Sequence, residues 1–106
     1  MLGENNSGSS IRLSLNKNLV ISLASNPSSG FSWRLLAINT TILKKIGANK
    51  YVPSKGDEMT PGSGGREQLT FRAIMKGTTL LKLGYSQPWD HQAEPEEIFT
   101  LEVEVY

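Results

Sequence analysis

Short apolar runs with a period of two limit most strongly what this chain can become. Ile11, Leu13 and Leu15 alternate with Arg12 and Ser14. After a turn at Asn16-Lys17-Asn18, Leu19, Ile21 and Leu23 continue the pattern. Phe31, Trp33 and Leu35 form a third set, Leu69, Phe71 and Ala73 a fourth, and Leu81, Leu83 and Tyr85 a fifth. The last run is the cleanest, with Phe99, Leu101, Val103 and Val105 on one face and Thr100, Glu102 and Glu104 on the other. Side chains alternate across a strand, so each run turns one face to a core and the other to water. Turn signals separate the runs at Asn26-Pro27, Pro53-Ser54-Lys55-Gly56, Pro61-Gly62, Lys76-Gly77 and Gln87-Pro88.

Helical evidence is thin. Ile42, Leu43 and Ile46, closed by Gly47, fit either one turn of helix or a short irregular strand. Six or seven short strands without a long helix predict an all-β fold, an immunoglobulin-like antiparallel β-sandwich with Greek-key connections. Trp33 suits the large buried side chain of such a core. At 106 residues the chain is one domain. The polar start, residues 1–10, reads as a flexible tail, and residues 11–106 as the folded unit.

Composition narrows the function. There is no cysteine, which excludes disulfides, zinc-thiolate sites, iron–sulfur clusters and a cysteine nucleophile. Stability must therefore come from the apolar core. Eleven Lys+Arg against ten Asp+Glu leave a formal charge of +1, which argues against nucleic acid and against an anionic membrane as the main partner. No signal peptide and no membrane span is visible, so a soluble protein is expected, with its compartment open.

Catalytic groups are scarce. His91 is the only histidine, and Asp90 beside it would point the other way on an extended chain, a poor arrangement for Ser/His/Asp catalysis. Glu94, Glu96 and Glu97, interrupted by Pro95, read as a solvated loop. Gly62-Ser63-Gly64-Gly65 lacks the Lys-Ser/Thr pair and following helix of a phosphate-binding loop. We expect no catalytic residue, no metal site and no cofactor.

Three connections say more. Asn26-Pro27-Ser28-Ser29-Gly30 predicts a stiff, small-residue tip, because proline fixes one φ and Gly30 can adopt a positive one. Glu58–Arg66 contains Gly62-Ser63-Gly64-Gly65, which permits close main-chain approach. Ser86–Glu97 places Trp89 in a polar loop directly after Pro88. Plainer readings are an ordinary turn, a flexible loop and a tryptophan folded back over the end of the sandwich. Numbered by strand, these are the second-to-third, fourth-to-fifth and sixth-to-seventh connections. Their matching parity lets them emerge at one end, as a binding surface.

Taken together, Asn26-Pro27-Ser28-Ser29-Gly30-Phe31-Ser32-Trp33, Gly62-Ser63-Gly64-Gly65 and Gln87-Pro88-Trp89 resemble the motifs of the chagasin family of cysteine-protease inhibitors. That family carries Asn-Pro-Thr-Thr-Gly-Phe-x-Trp, Gly-x-Gly-Gly and Arg-Pro-Trp in this order. The resemblance implies a monomeric, reversible, tight-binding inhibitor of papain-like cysteine proteases, of the papain and cathepsin type, and not an enzyme. Residues 11–106 would then be one inhibitor domain. By the same resemblance, Asn26, Pro27, Ser28, Ser29, Gly30 and Phe31 enter the cleft over the catalytic cysteine and histidine. Gly62, Ser63, Gly64 and Gly65 lie on the non-primed side, and Gln87, Pro88 and Trp89 on the primed side. Ser28 and Ser29 stand where the family usually has threonines, and Gln87 where it has arginine. The competing expectation is a generic immunoglobulin-like binding or adhesion module using the same loops.

Overall fold

The computed structural model describes residues 1–26, 29–53, 64–87, 89 and 94–106. Seven strands run in chain order: β1 Ser9–Leu13, β2 Asn18–Ser25, β3 Ser32–Ala37, β4 Leu43–Pro53, β5 Gly65–Ala73, β6 Gly77–Ser86 and β7 Glu97–Val105. They form two sheets, β1-β7-β6-β3 and β2-β5-β4. The chain stays within a sheet at the β4–β5 and β6–β7 connections and crosses between sheets elsewhere. The inward faces carry the side chains that the alternation selected. Leu19, Ile21 and Leu23, Leu69, Phe71 and Ala73, Leu81 and Leu83, and Phe99 to Val105 in steps of two are all buried together with Trp33. Removing such faces from water is the main favourable term available to a chain without covalent links.

The stretch that fitted either helix or strand is a strand. Leu43 pairs with Ala73 and Lys50 with Gln68, and the register shifts between Ile46 and Lys50, so β4 continues through Gly47 as a bulged edge strand. Two features depart from the expectation. β1 pairs with β7 in parallel, Ser9 opposite Leu101 and Leu13 opposite Val105, so the sandwich is not wholly antiparallel. The first ten residues also hold structure where a tail was expected. Leu2 bridges β2, donating its N–H to the Val20 carbonyl at 2.9 Å and accepting from the Ser22 N–H at 2.8 Å. A 3-10 turn follows at Glu4–Asn6, and β1 begins at Ser9. Backbone pairing needs no apolar side chains, which is why a polar sequence gave no warning of it. No helix among the described residues is long and apolar enough to cross a membrane.

Candidate functional site

The loops of interest leave one end of the sandwich. Ser25 is paired with Gly65, Pro53 with Gly65, Ser32 with Ser86, and Tyr85 with Glu97, so β2, β4 and β6 finish where β3, β5 and β7 begin. Of the residues expected at a site, Asn26, Ser29, Gly30, Phe31, Gly64, Gly65, Gln87 and Trp89 are described. Pro27, Ser28, Gly62, Ser63 and Pro88, with Asp90 and His91, lie outside the described residues.

The described residues of the first loop are held by hydrogen bonds among themselves. The Asn26 carbonyl accepts the Ser29 N–H at 3.1 Å and the Ser29 hydroxyl at 2.6 Å, and Ser29 Oγ accepts the Phe31 N–H at 3.4 Å. Gly30 has φ +82°, a conformation that costs a residue with a Cβ about 1–2 kcal/mol. A Cβ there would also overlap the Trp89 ring. Trp89 therefore lies against the central loop while remaining 67 % exposed, which combines the two readings of its place in the sequence. Gln87 adds a second link, its Nε2 donating to the Ser29 carbonyl at 3.3 Å. In this chain the residue that replaces arginine reaches toward the neighbouring loop. Gly65 serves close packing, since a Cβ on it would meet the backbone of Val52 and Pro53.

Beneath the loops sits a layer that the motifs did not reveal. Tyr85 stacks on Phe31 with ring centroids 5.3 Å apart and tilts against Trp33 at 5.1 Å. Its hydroxyl accepts the Asn26 N–H at 3.0 Å, and Trp33 Nε1 donates to the Ala24 carbonyl at 2.9 Å. At the centre is Glu67, only 6 % exposed. Its Oε1 accepts the Ser25 hydroxyl at 2.6 Å and the Trp33 N–H at 3.2 Å. Its Oε2 accepts the Ser32 hydroxyl at 3.1 Å and Asn49 Nδ2 at 2.7 Å. The sequence did hold a signal, because Glu67 is in phase with Leu69, Phe71 and Ala73 on the inward face of β5.

A separate cluster fastens the start of the chain beside this end. Glu4 accepts the Ala24 N–H at 2.8 Å and Arg66 Nη2 at 2.9 Å on its second oxygen, while Arg66 Nε and Nη2 also donate to Ser22. Partial burial pushes the Glu4 carboxyl up. The hydrogen bonds from Ala24, from its own N–H and from Arg66, with the Arg66 charge, outweigh that and hold it below the ordinary value of 4.5. Between Arg66 and Glu97 the surface opens into a concavity of about 410 Å³ whose lining includes Ser25, Asn26 and Tyr85.

A hydrogen-bonded link between Asn26 and Ser29, a close-packed glycine root and an exposed tryptophan thus share one end of a seven-stranded sandwich. The model of the chagasin family peptidase inhibitors, I42, matches residues 12–103. The chain belongs to the chagasin family. Amoebiasin-2 of Entamoeba histolytica is 28 % identical over 103 residues, covering 97 % of this chain and 82 % of that protein. The crystal structure of EhICP2, a cysteine protease inhibitor from the same organism, superposes with a TM-score of 0.82 at 25 % identity, over 99 % of this chain and 92 % of that one. The solution structure of Amebosin gives 0.80 at 28 % identity, over 99 % and 95 %. As a chagasin-family member the chain is a peptidase inhibitor and not an enzyme, so its candidate site is a binding edge.

Proposed function

We propose that this chain inhibits papain-like cysteine proteases reversibly by laying its three loops across the active-site cleft. Asn26–Gly30 with Phe31 would cover the catalytic cysteine and histidine. Gly62–Gly65 would follow the non-primed side, and Gln87, Pro88 and Trp89 the primed side. The observation that carries this reading is Trp89, which is largely exposed yet lies against Gly30 of the central turn. An exposed aromatic that already lies against Gly30 is a suitable anchor, because part of its freedom is lost before docking.

A cleft is a groove, so occluding it takes contacts on both sides of the nucleophile as well as above it. Three loops leaving one end of the sandwich would supply that shape, and a standard interface of about 800 Å² per partner would be within their reach. The central loop would resist cleavage because its ends are pinned to strands, so that no peptide bond settles into line with the thiolate. Titrating active-site-quantified papain and a cathepsin with the pure protein tests the reading. Activity should fall stoichiometrically and return on dilution. Full activity in several papain-like proteases at micromolar inhibitor would refute it.

A further inference from the structure

The Glu67 carboxylate is placed to govern the central loop. Ser25 is the last residue of β2 and Ser32 the first of β3, so they bracket residues 26–31, and both hydroxyls donate to this one carboxylate. Trp33 adds its N–H from β3, and Asn49 adds its amide from β4 while also donating to the Trp33 carbonyl at 2.7 Å. Glu67 stands on β5 in the β2-β5-β4 sheet, whereas Ser32 and Trp33 belong to the opposite sheet. One side chain thus crosses the sandwich at its loop end and fixes the separation between the two ends of the central loop.

Burying a carboxylate is costly unless donors replace its water. An apolar residue at this inward position would have continued the run of Leu69, Phe71 and Ala73 without that cost. What the carboxylate adds is a directional clamp. We propose that Glu67 is a positioning residue for inhibition, holding both ends of the central loop so that the loop binds a protease as an inhibitor and is not processed as a substrate. The inference rests on the inhibitor reading above. With the clamp released, the loop ends can drift and one of its peptide bonds can reach the thiolate. The cleavage that follows is a hydrolysis in which water is consumed and a new carboxylate and amine appear between Asn26 and Phe31.

Glu67→Gln keeps the side-chain shape but leaves a single acceptor oxygen where the carboxylate offered two. Val105→Ala is the comparator. It opens the core at the opposite end, where Val105 pairs with Leu13 and Gly77, and should lower Tm as much or more. Against papain, E67Q should bind about tenfold more weakly or worse, dissociate faster and be clipped between Asn26 and Phe31 during long incubation, as mass spectrometry would show. Val105→Ala should inhibit as the parent does and stay intact. Parent-like inhibition by an uncut E67Q protein would overturn the proposal. So would a parallel loss of inhibition in V105A, since Glu67 would then act only through global stability. If E67Q does not fold, Ser25→Ala removes one donor and keeps the carboxylate. It should show the same clipping more slowly, and an uncut S25A protein of parent-like affinity would count against the clamp. Amide hydrogen exchange in the free protein separates the two readings. Should the parent fail to inhibit, the inhibitor reading falls, while unchanged protection of the Trp33 amide in E67Q would by itself remove the clamp.

Discussion

Gly30 and Trp89 are where the proposed site can be tested one residue at a time. Gly30→Ala must carry a Cβ at φ +82° and displace the tryptophan ring, so we expect inhibition to weaken about tenfold or more and Tm to fall by several degrees. Parent-like inhibition by that variant would show that the ring can move without consequence. Trp89→Ala should weaken binding by about 2 kcal/mol, roughly thirtyfold in the inhibition constant, with Tm unchanged because the side chain is mostly in water. A shift in Tm without a shift in affinity would make it a cover for the sandwich end. At this scale the sequence was legible where residue type alone implies geometry, as with Gly30, which adopts the positive φ expected of it. Glu67 was not legible in that way. An acid beside Arg66 and Gln68 reads as solvated, and only its phase with the apolar run marks it as inward. Ser25 has the same character, continuing the phase of Leu19, Ile21 and Leu23 as a buried hydroxyl.

At the scale of elements, the alternation identified the strands but not all their neighbours. Leu81–Tyr85 and Phe99–Val105 are far enough apart for a hairpin, and they form one. Ile11 and Leu13 gave no hint of a parallel partner, because either direction buries the same face. The N-terminal segment is the clearest omission, since its pairing with β2 runs through backbone groups and through Glu4. Removing residues 1–8 should leave the sandwich folded but take acceptors from the Ser22 and Ala24 amides. Their hydrogen exchange should accelerate, and unchanged protection at both would show that the segment does not hold β2. Glu4 also gives this element a pH dependence. Its folded pKa is lowered, so its contribution to stability is full above the ordinary glutamate value and is lost as pH falls through the lowered folded value. The stability difference between the parent and Glu4→Gln should therefore be present at neutral pH and shrink below about pH 4. A difference that instead grew toward acid would contradict the assigned contacts. The effect should be small, because both Glu4 and Arg66 are about half exposed.

Viewed as a whole, the molecule separates its ends. The proposed binding edge lies at the Ser25–Gly65–Ser86 end. Tyr106 closes the other, where its N–H donates to the Leu13 carbonyl and its ring lies under Arg12. A nine-residue strand such as β7 spans about 30 Å, which keeps that far end clear of a bound protease. A folded domain fused after Tyr106 should accordingly leave the inhibition constant within about twofold of the parent, whereas obstruction would point to a different docking edge. The absence of cysteine acquires a sharper meaning on the proposed reading: the reactive thiol of the complex belongs to the partner, and this chain would meet it with its loop end alone. The most direct test of that account is hydrogen exchange of this chain, free and bound to papain. Protection should gather on residues 26–31, 54–65 and 87–96 and be absent from residues 14–17, 38–42 and 74–77. Protection centred on the edge strands β1 or β4, or at the Tyr106 end, would contradict it.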